Sequence, residues 1–421
     1  MTHYTTLSSN LKRAVLSFSE RISTGLTRPE FKFISQMIYG MLCSQSCLLS
    51  EVARALNEPV LLKKTIERLS VRLRVFSKGE LLFSNYIKKV KQSVSNKTIL
   101  IIDDSDIAKP YSLKMEGLRD VYDGSTGKIV AGYPMIDVTA LTPEYKLPIP
   151  IYSRVYSAGE AEFISAEDES LKALAFLRAN FKRNNIRALD RGFDNNLYYK
   201  EFINHKEKFI IRAKVNRNVI YDGETINILK LAERYKGRYK LEFRKRNGKK
   251  VDCRISIVPI CLPCRPNEEL NLIICRDLGE IPMLLITNLK SDDNRIAVTV
   301  VKVYLMRWRI EEFHRFKKQQ FKFEGFRVRS LNAIRNLDTL LNITVGYIGM
   351  MSERADDKRI VMELIFISKR IYGVSKFKFY AIADGIHAVL TKGKTGISSL
   401  LLKKRRCGQL CLFPEAFLST A

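Results

Sequence analysis

The chain is short of acid. Its 421 residues hold 44 Asp plus Glu against 72 Lys plus Arg, a formal net charge of +28. A surplus of that size favours a polyanionic partner, nucleic acid first and an anionic membrane second, although a ribosome-associated or simply basic protein would carry it too. Long apolar runs are also missing: no stretch reaches the ~18 residues needed to span a bilayer. The greasiest segment, LLNITVGYIGMM at 340–351, is interrupted by Asn342, which weakens the membrane reading. The N-terminus, MTHYTTLSSNLKRAVLSF, has neither a hydrophobic signal core nor a small-residue cleavage site, so the expectation is a cytoplasmic protein. The eight cysteines do not suggest a disulfide framework in a chain of that setting. Cys261 and Cys264 form a CxxC flanked by Cys253 and Cys275, and four thiolates can in principle hold zinc. The outer two sit singly inside strand-like runs, so reduced, half-buried thiols are the preferred reading. Cys43 with Cys47, and Cys407 with Cys411, have helical spacing and read as packing residues. No internal repeat or low-complexity segment is present, and an apolar share of 46% is enough to build cores for two or three domains.

Residues 1–95 read as helical throughout. FKFISQMIYGMLCS has apolar residues at helical intervals, and the following stretch breaks at Asn57–Pro59 before a second, basic helix carrying Lys63, Lys64, Arg68 and Arg72. Two short helices joined by a tight turn fit a helix-turn-helix DNA reader and, equally, an ordinary helical bundle. The texture changes at residue 97. KTILIIDDSDI is a short apolar run ending in acid, followed by two strand-like segments, VAGYPMIDVTAL and KLPIPIYSRVY, with a turn around Pro143. AEDESLKALAFLRANFKR is an amphipathic helix with acids in its first turns. NNIRALDRGFD is another short strand ending in acid, NNLYYKEFINHK a helix and KFIIRAKV a strand. From about 215 to 290 the pattern turns to β, with Asn247–Gly248 between two alternating runs as a hairpin signal. Helix returns from 294 to about 351, and the tail to 421 alternates basic helices with short turns. The expected fold is α/β: three strands, then strand–helix alternation, the order of a ribonuclease-H-like mixed sheet.

Within 304–318, YLMRWRIEEFHRFKK sets Tyr304, Arg307, Glu311 and Lys318 at offsets of three, seven and fourteen. At about 100° per residue, an uninterrupted helix would carry all four within a sector of roughly 60°. Arg and Lys suit phosphate oxygens, and a carboxylate between them suits a divalent metal. Two strands end in acid, at Asp103 and Asp190. Phosphodiester hydrolysis and strand transfer need an activated oxygen nucleophile and a stabilised 3′ leaving oxygen, both of which two divalent ions about 3.5–4 Å apart can supply. Two or three carboxylates suffice to hold such a pair of Mg²⁺ ions. Asp104 is the register rival of Asp103, and Glu312 of Glu311.

These residues resemble the DDE transposases of bacterial insertion sequences, specifically the insertion-sequence-4-like group marked by a Tyr-Arg-Glu-Lys signature. Tyr304, Arg307, Glu311 and Lys318 match that signature at every position. Asp190-Arg191-Gly192-Phe193 is similar to the segment bearing the group's second Asp, and Asp103-Asp104-Ser105 to the segment bearing the first. Asp190 follows Asp103 by 87 residues and precedes Glu311 by 121. The resemblance covers roughly residues 30–350. It implies a helical DNA-binding domain at 1–95, a ribonuclease-H-like catalytic domain at 96–350 with a β-rich insertion at about 215–290, and a helical C-terminal region at 351–421. It also implies catalysis by Asp103, Asp190 and Glu311 on two Mg²⁺ ions, with Mn²⁺ able to replace them, and DNA phosphates held by Tyr304, Arg307 and Lys318. The implied partners are terminal inverted repeats and target DNA, bound by a homodimer at the bacterial nucleoid. One departure stands out. Some relatives stack a flipped base on a tryptophan of the insertion, whereas the single Trp here is Trp308, leaving Tyr235, Tyr239 or Phe243 as substitutes. A stand-alone nuclease using the same acids, and an inactive transposase-derived DNA-binding protein, remain as alternatives.

Overall fold

The computed structural model describes residues 2–112, 114–124, 126–141, 147–244, 250–290, 295–353, 357–370, 377–393 and 396–401. The turns expected at Pro143 and Asn247–Gly248 lie outside the described residues, as do Cys407 and Cys411. No helix among the described residues is long and apolar enough to cross a membrane.

Five helices open the chain: α1 (Thr2–Ile22), α2 (Arg28–Ser44), α3 (Leu49–Leu56), α4 (Leu62–Val75) and α5 (Gly79–Val90). Sequence fixes their ends locally. Thr27 and Glu30 form a reciprocal capping box at the start of α2, which satisfies two otherwise orphaned backbone donors. Asn57 ends α3 in the left-handed region at φ 45°, a conformation that Asn tolerates better than most residues. The basic face of α4 is partly neutralised: Lys63 and Lys64 share Glu67, and Arg68 is bound to Glu58. Arg72 and Arg74 stay exposed.

The sheet begins with β1 (Ile99–Ala108), β2 (Arg119–Asp123), β3 (Lys128–Leu141) and β4 (Pro148–Val155). Strands then alternate with helices: α6 (Ala166–Asn180), β5 (Ile186–Leu189), α7 (Asn196–Asn204) and β6 (Phe209–Arg212). Ser165 caps α6, whose first turn carries Glu167, Asp168 and Glu169 against the positive end of the helix dipole. Hydrogen bonding orders these strands β4-β3-β1-β5-β6, antiparallel from β4 to β1 and parallel from β1 through β6. At the lower end of β5 the fully buried Arg187 is neutralised by Glu207 at 2.8 Å and donates to the carbonyls of Arg183 and Asn185. Both partners are supplied because an unpaired buried guanidinium would be costly.

The β-rich stretch continues the same sheet. It comprises β7 (Asn218–Tyr221), β8 (Glu224–Asn227), β9 (Tyr239–Arg244), β10 (Lys250–Leu262), β11 (Arg265–Arg276) and β12 (Met283–Thr287). β12 pairs antiparallel with β6, and β11, β10, β7 and β8 follow outward. A short helix, α8 (Ile228–Glu233), interrupts the run where a purely β pattern was expected. Asn227 caps it, accepting from the amides of Leu229 and Lys230. Cys253 and Cys275 are buried on β10 and β11, Cys261 and Cys264 are partly exposed, and none of the four is in a disulfide among the described residues.

Helices then return as α9 (Ile296–Met306), α10 (Trp308–Arg315), α11 (Leu331–Glu353), α12 (Lys358–Ser368), α13 (Phe379–Thr391) and α14 (Ser398–Leu401). The apolar 340–351 run is the inner part of α11, which packs on β4 and on α2, α4 and α5. α13 packs on α1 and α2, where Gln45 is bonded to Asp384 and the Cys43 carbonyl to His387. Helices from both ends of the chain therefore share one core with the sheet.

Candidate active site

β1 is buried from Ile99 to Ile102 and becomes accessible at Asp103. β5 runs parallel to it with Ile102 beside Leu189, so Asp103 and Asp190 are the next residues on neighbouring strands. Side chains alternate faces along a strand, and that separates the two register candidates. Asp103 faces α10, where Arg307 Nη1 lies 3.4 Å from its Oδ2. Asp104 is exposed and its charge is felt by Tyr156 and Tyr198, but its carboxyl is pushed up to about 7 by loss of solvation, with Asp103 and Asp190 adding to the rise. Asp190 caps the short turn Arg191–Phe193 by accepting from the Gly192 amide, which fixes its carboxylate at the strand end.

The signature segment is not one uninterrupted helix. α9 ends at Met306, Arg307 is the joint, α10 follows, and residues Phe316–Gln320 form a π turn. Tyr304, Arg307 and Glu311 still lie together, the Arg307 guanidinium standing over the Tyr304 ring and bonded to Glu311, while Lys318 lies within the π turn. Arg307 is buried and turns inward. Its Nη2 bonds Glu311 at 2.6 Å while Nη1 approaches Asp103. Glu311 is half exposed, whereas Glu312 is tied to Arg315 at 2.7 Å. Lys318 sits further along β1, paired with Asp106 at 3.3 Å and with Glu324 at 3.0 Å. Tyr304 is buried, and neither its hydroxyl nor Arg307 Nε has a well-formed hydrogen bond.

Burial pushes the Asp103 carboxyl up to about 6, with Asp190 and Glu311 adding to the rise and His314 and Arg307 opposing it. Asp190 and Glu311 are therefore each close enough to act on Asp103, and the guanidinium of Arg307 lies against Asp103 and Glu311. Among the described residues no three Asp, Glu, His or Cys side chains are grouped tightly enough to hold a metal as they stand. The donor set nevertheless suits Mg²⁺: hard carboxylate oxygens on two adjacent strand ends, plus a half-exposed Glu on a helix. The four cysteines form no such group either.

Several residues around this site were not singled out from sequence. His314 Nε2 lies 3.1 Å from Asp137 on β3, and Asp137 is directly opposite Asp103. Lys317, fully buried, reaches Asp137 at 3.4 Å and Asp338 of α11 at 2.9 Å. Arg212, the last residue of β6, contributes positive charge beside Tyr304. The one signal in the sequence was an acid inside an apolar strand, PMIDVTAL. Of the aromatic candidates, Trp308 is 61% exposed, Tyr235 bonds its hydroxyl to that of Tyr221 at 2.9 Å, and the side chain of Phe243 lies outside the described residues.

A solved structure, the cryo-EM structure of a piggyBac transposase synaptic complex with hairpin DNA, aligns over 85% of this chain and 72% of its own, at 10% identity and a TM-score of 0.46. A likeness that low carries no argument. A family model described as the transposase DDE domain matches residues 165–345. That segment contains Asp190, Tyr304, Arg307, Glu311 and Lys318 but begins after Asp103, whose place in the site rests on the strand register. Residues 165–345 are thus similar to a transposase DDE domain, and the match supports a transposase.

Proposed function

We propose that the protein is a DDE-type DNA transposase of the insertion-sequence-4-like, Tyr-Arg-Glu-Lys group, cleaving at element ends and joining them to target DNA by in-line attack on phosphodiesters. The observation that carries the reading is the placement of Asp103 and Asp190 at adjacent parallel strand ends, with Glu311 held to Asp103 through Arg307. The sheet order β4-β3-β1-β5-β6 supports a ribonuclease-H-like core, and the β7–β12 extension supports an insertion between the second Asp and the Glu. Asp103, Asp190 and Glu311 would hold two Mg²⁺ ions, or Mn²⁺ in their place. Such ions, when bound, activate water or a 3′-hydroxyl and stabilise the departing oxygen.

The residues of the chain divide the remaining work. Asp103 and Asp190 are short-armed ligands fixed by the sheet, while the half-exposed Glu311 has room to move onto them. Arg307 Nε and the Tyr304 hydroxyl are buried donors without a well-formed bond, and the guanidinium would contact a phosphate bidentately once its two Nη groups leave Asp103 and Glu311. Lys318 supplies a point charge at the far end of β1. Exposed Arg72 and Arg74 on α4 support DNA contact by the helices of residues 1–95. Joining two ends would need a homodimer on the DNA.

The test uses the duplex DNA flanking the gene as a labelled substrate with Mg²⁺ and a plasmid target. The expected result is cleavage followed by joining of the 3′ end to the plasmid. Glu311→Gln should lower both by at least about 100-fold, the upper loss seen when a metal ligand's supporting partners alone are disturbed, while DNA binding persists. Cleavage without any joined product would favour the stand-alone nuclease. Binding without cleavage would favour a transposase-derived DNA-binding protein.

A further inference from the structure

The signature helix is held at both ends. At its start Arg307 reaches Asp103. At its end the π turn Phe316–Gln320 sends two consecutive lysines to different partners: Lys318 to Asp106 and Glu324, Lys317 into the core. Single π turns inside helices concentrate at functional sites. Lys317 is 2% exposed. Its ammonium lies between Asp137 of β3 and Asp338 of α11, flanked by the rings of Phe313 and Phe323 at 5.2 Å and 5.1 Å. Asp338 also accepts from Ser153 at 2.5 Å and from Asn342 at 3.0 Å. His314, one turn after Glu311, meets the same Asp137 carboxylate. Asp137 is the cross-strand partner of Asp103, so this buried cluster ties the helix that carries Glu311 to the strand beside Asp103.

We propose that Lys317 and Asp137 are positioning residues for Glu311, setting where its carboxylate stands relative to Asp103 and Asp190. The proposal rests on the transposase reading given above. Stability alone does not explain the cluster, because a buried ion pair is often no better than well-packed apolar residues of similar volume. Its geometry offers something an apolar plug would not: directional bonds from one helix end to two different elements. The burden on Glu311 is also particular, since it is the acid on a helix while its two partners are fixed by strand register. A shift of the helix along or around its axis would move Glu311 and leave Asp103 and Asp190 in place.

The experiment compares the wild type with Lys317→Met and with the double variant Lys317→Met/Asp137→Asn, which removes the ammonium and one of its two carboxylates and leaves Asp338 bonded to Ser153 and Asn342. Four quantities are read on each full-length protein: thermal unfolding, anisotropy of the flanking-DNA duplex, Mn²⁺ binding by electron paramagnetic resonance, and the Mg²⁺ concentration giving half-maximal cleavage. The double variant should unfold cooperatively and bind duplex within about twofold of wild type. Its Mn²⁺ affinity should fall by about tenfold or more, the scale on which a metal site's supporting partners act, and its Mg²⁺ midpoint should rise in step. A folded double variant with unchanged Mn²⁺ affinity and Mg²⁺ midpoint would overturn the positioning role. Should both variants fail to fold, Ser153→Ala removes one hydrogen bond from Asp338 and keeps every charge. A smaller shift in the same direction then supports the role, and no shift overturns it. A wild type that neither binds Mn²⁺ nor cleaves would overturn the transposase reading and the positioning role together, which separates that failure from the first.

Discussion

At the scale of single residues, Arg307 is the pivot of the site. Its guanidinium lies against Asp103 and Glu311 and is buried, so two carboxylates that would repel one another are held by one cation. A divalent ion bound to the same oxygens would do that work with more charge. Arg307→Ala should therefore lower the thermal midpoint in metal-free buffer, because breaking a buried pair strands a charge. Millimolar Mg²⁺ should restore more of the midpoint in this variant than it adds to wild type. Equal Mg²⁺ effects on the two proteins would mean that the ion and the guanidinium do not share these carboxylates. The acids themselves were legible in the sequence, because an apolar run ending in Asp is a local pattern. Their surroundings were not. Lys317 meets Asp137 across 180 positions of sequence, and periodicity along a single helix carries no information about such a partner. Glu311 and Arg307 were read correctly as neighbours on one turn. The inward direction of Arg307, toward Asp103, depends on β1 lying beneath it.

At the scale of elements, the strands and the helices between them follow from alternation and capping, and the sequence pattern located β1, β3, β5, β6 and α6 with little ambiguity. Three features escaped it, the first being β2 (Arg119–Asp123), a fourth strand where three were expected before the strand–helix alternation. α8 is a six-residue helix inside a β-rich stretch, too short to show periodicity. The joint at Arg307 and the π turn at Phe316–Gln320 break a stretch that reads as continuous, because tertiary contacts with β1, β3 and α11 outweigh local helical preference. The helix α11 illustrates how tightly elements meet. A methyl group on Gly346 would land on the Tyr86 hydroxyl, which donates to the Pro150 carbonyl of β4 at 2.8 Å. Gly346→Ala should thus cost about 1–3 kcal/mol, the usual range for overpacking a dense core, measured by urea unfolding. A Gly346→Ala variant as stable as wild type would show that α5, α11 and β4 can move apart at this junction.

At the scale of the whole molecule, charge and topology act together. The formal charge of +28 is spread over a chain whose terminal helices and twelve-stranded sheet share one core. Any DNA complex it forms should be strongly salt-dependent. If 6–10 phosphates are neutralised, affinity should fall by about 10³–10⁵ between 50 and 200 mM salt, as read from anisotropy of a duplex probe. A shallow slope would mean that the surplus charge lies away from the bound DNA. The sheet sets the geometry at this scale, carrying the β-rich extension outward from β6 and leaving the strand ends of β1 and β5 beneath α10.

Asp103, Asp190 and Glu311 come from parts of the chain up to 208 residues apart, and the proposed function requires them to form one metal site. Mn²⁺ binding by electron paramagnetic resonance, with the flanking-DNA duplex present, tests it most directly in Asp103→Asn, Asp190→Asn, Glu311→Gln and the pairwise doubles. Residues that act as a unit are non-additive. Each single substitution should weaken Mn²⁺ binding by about tenfold or more, and each double should be weakened by less than the sum of its singles. Wild-type Mn²⁺ binding in any one of the three, or strict additivity among them, would contradict it.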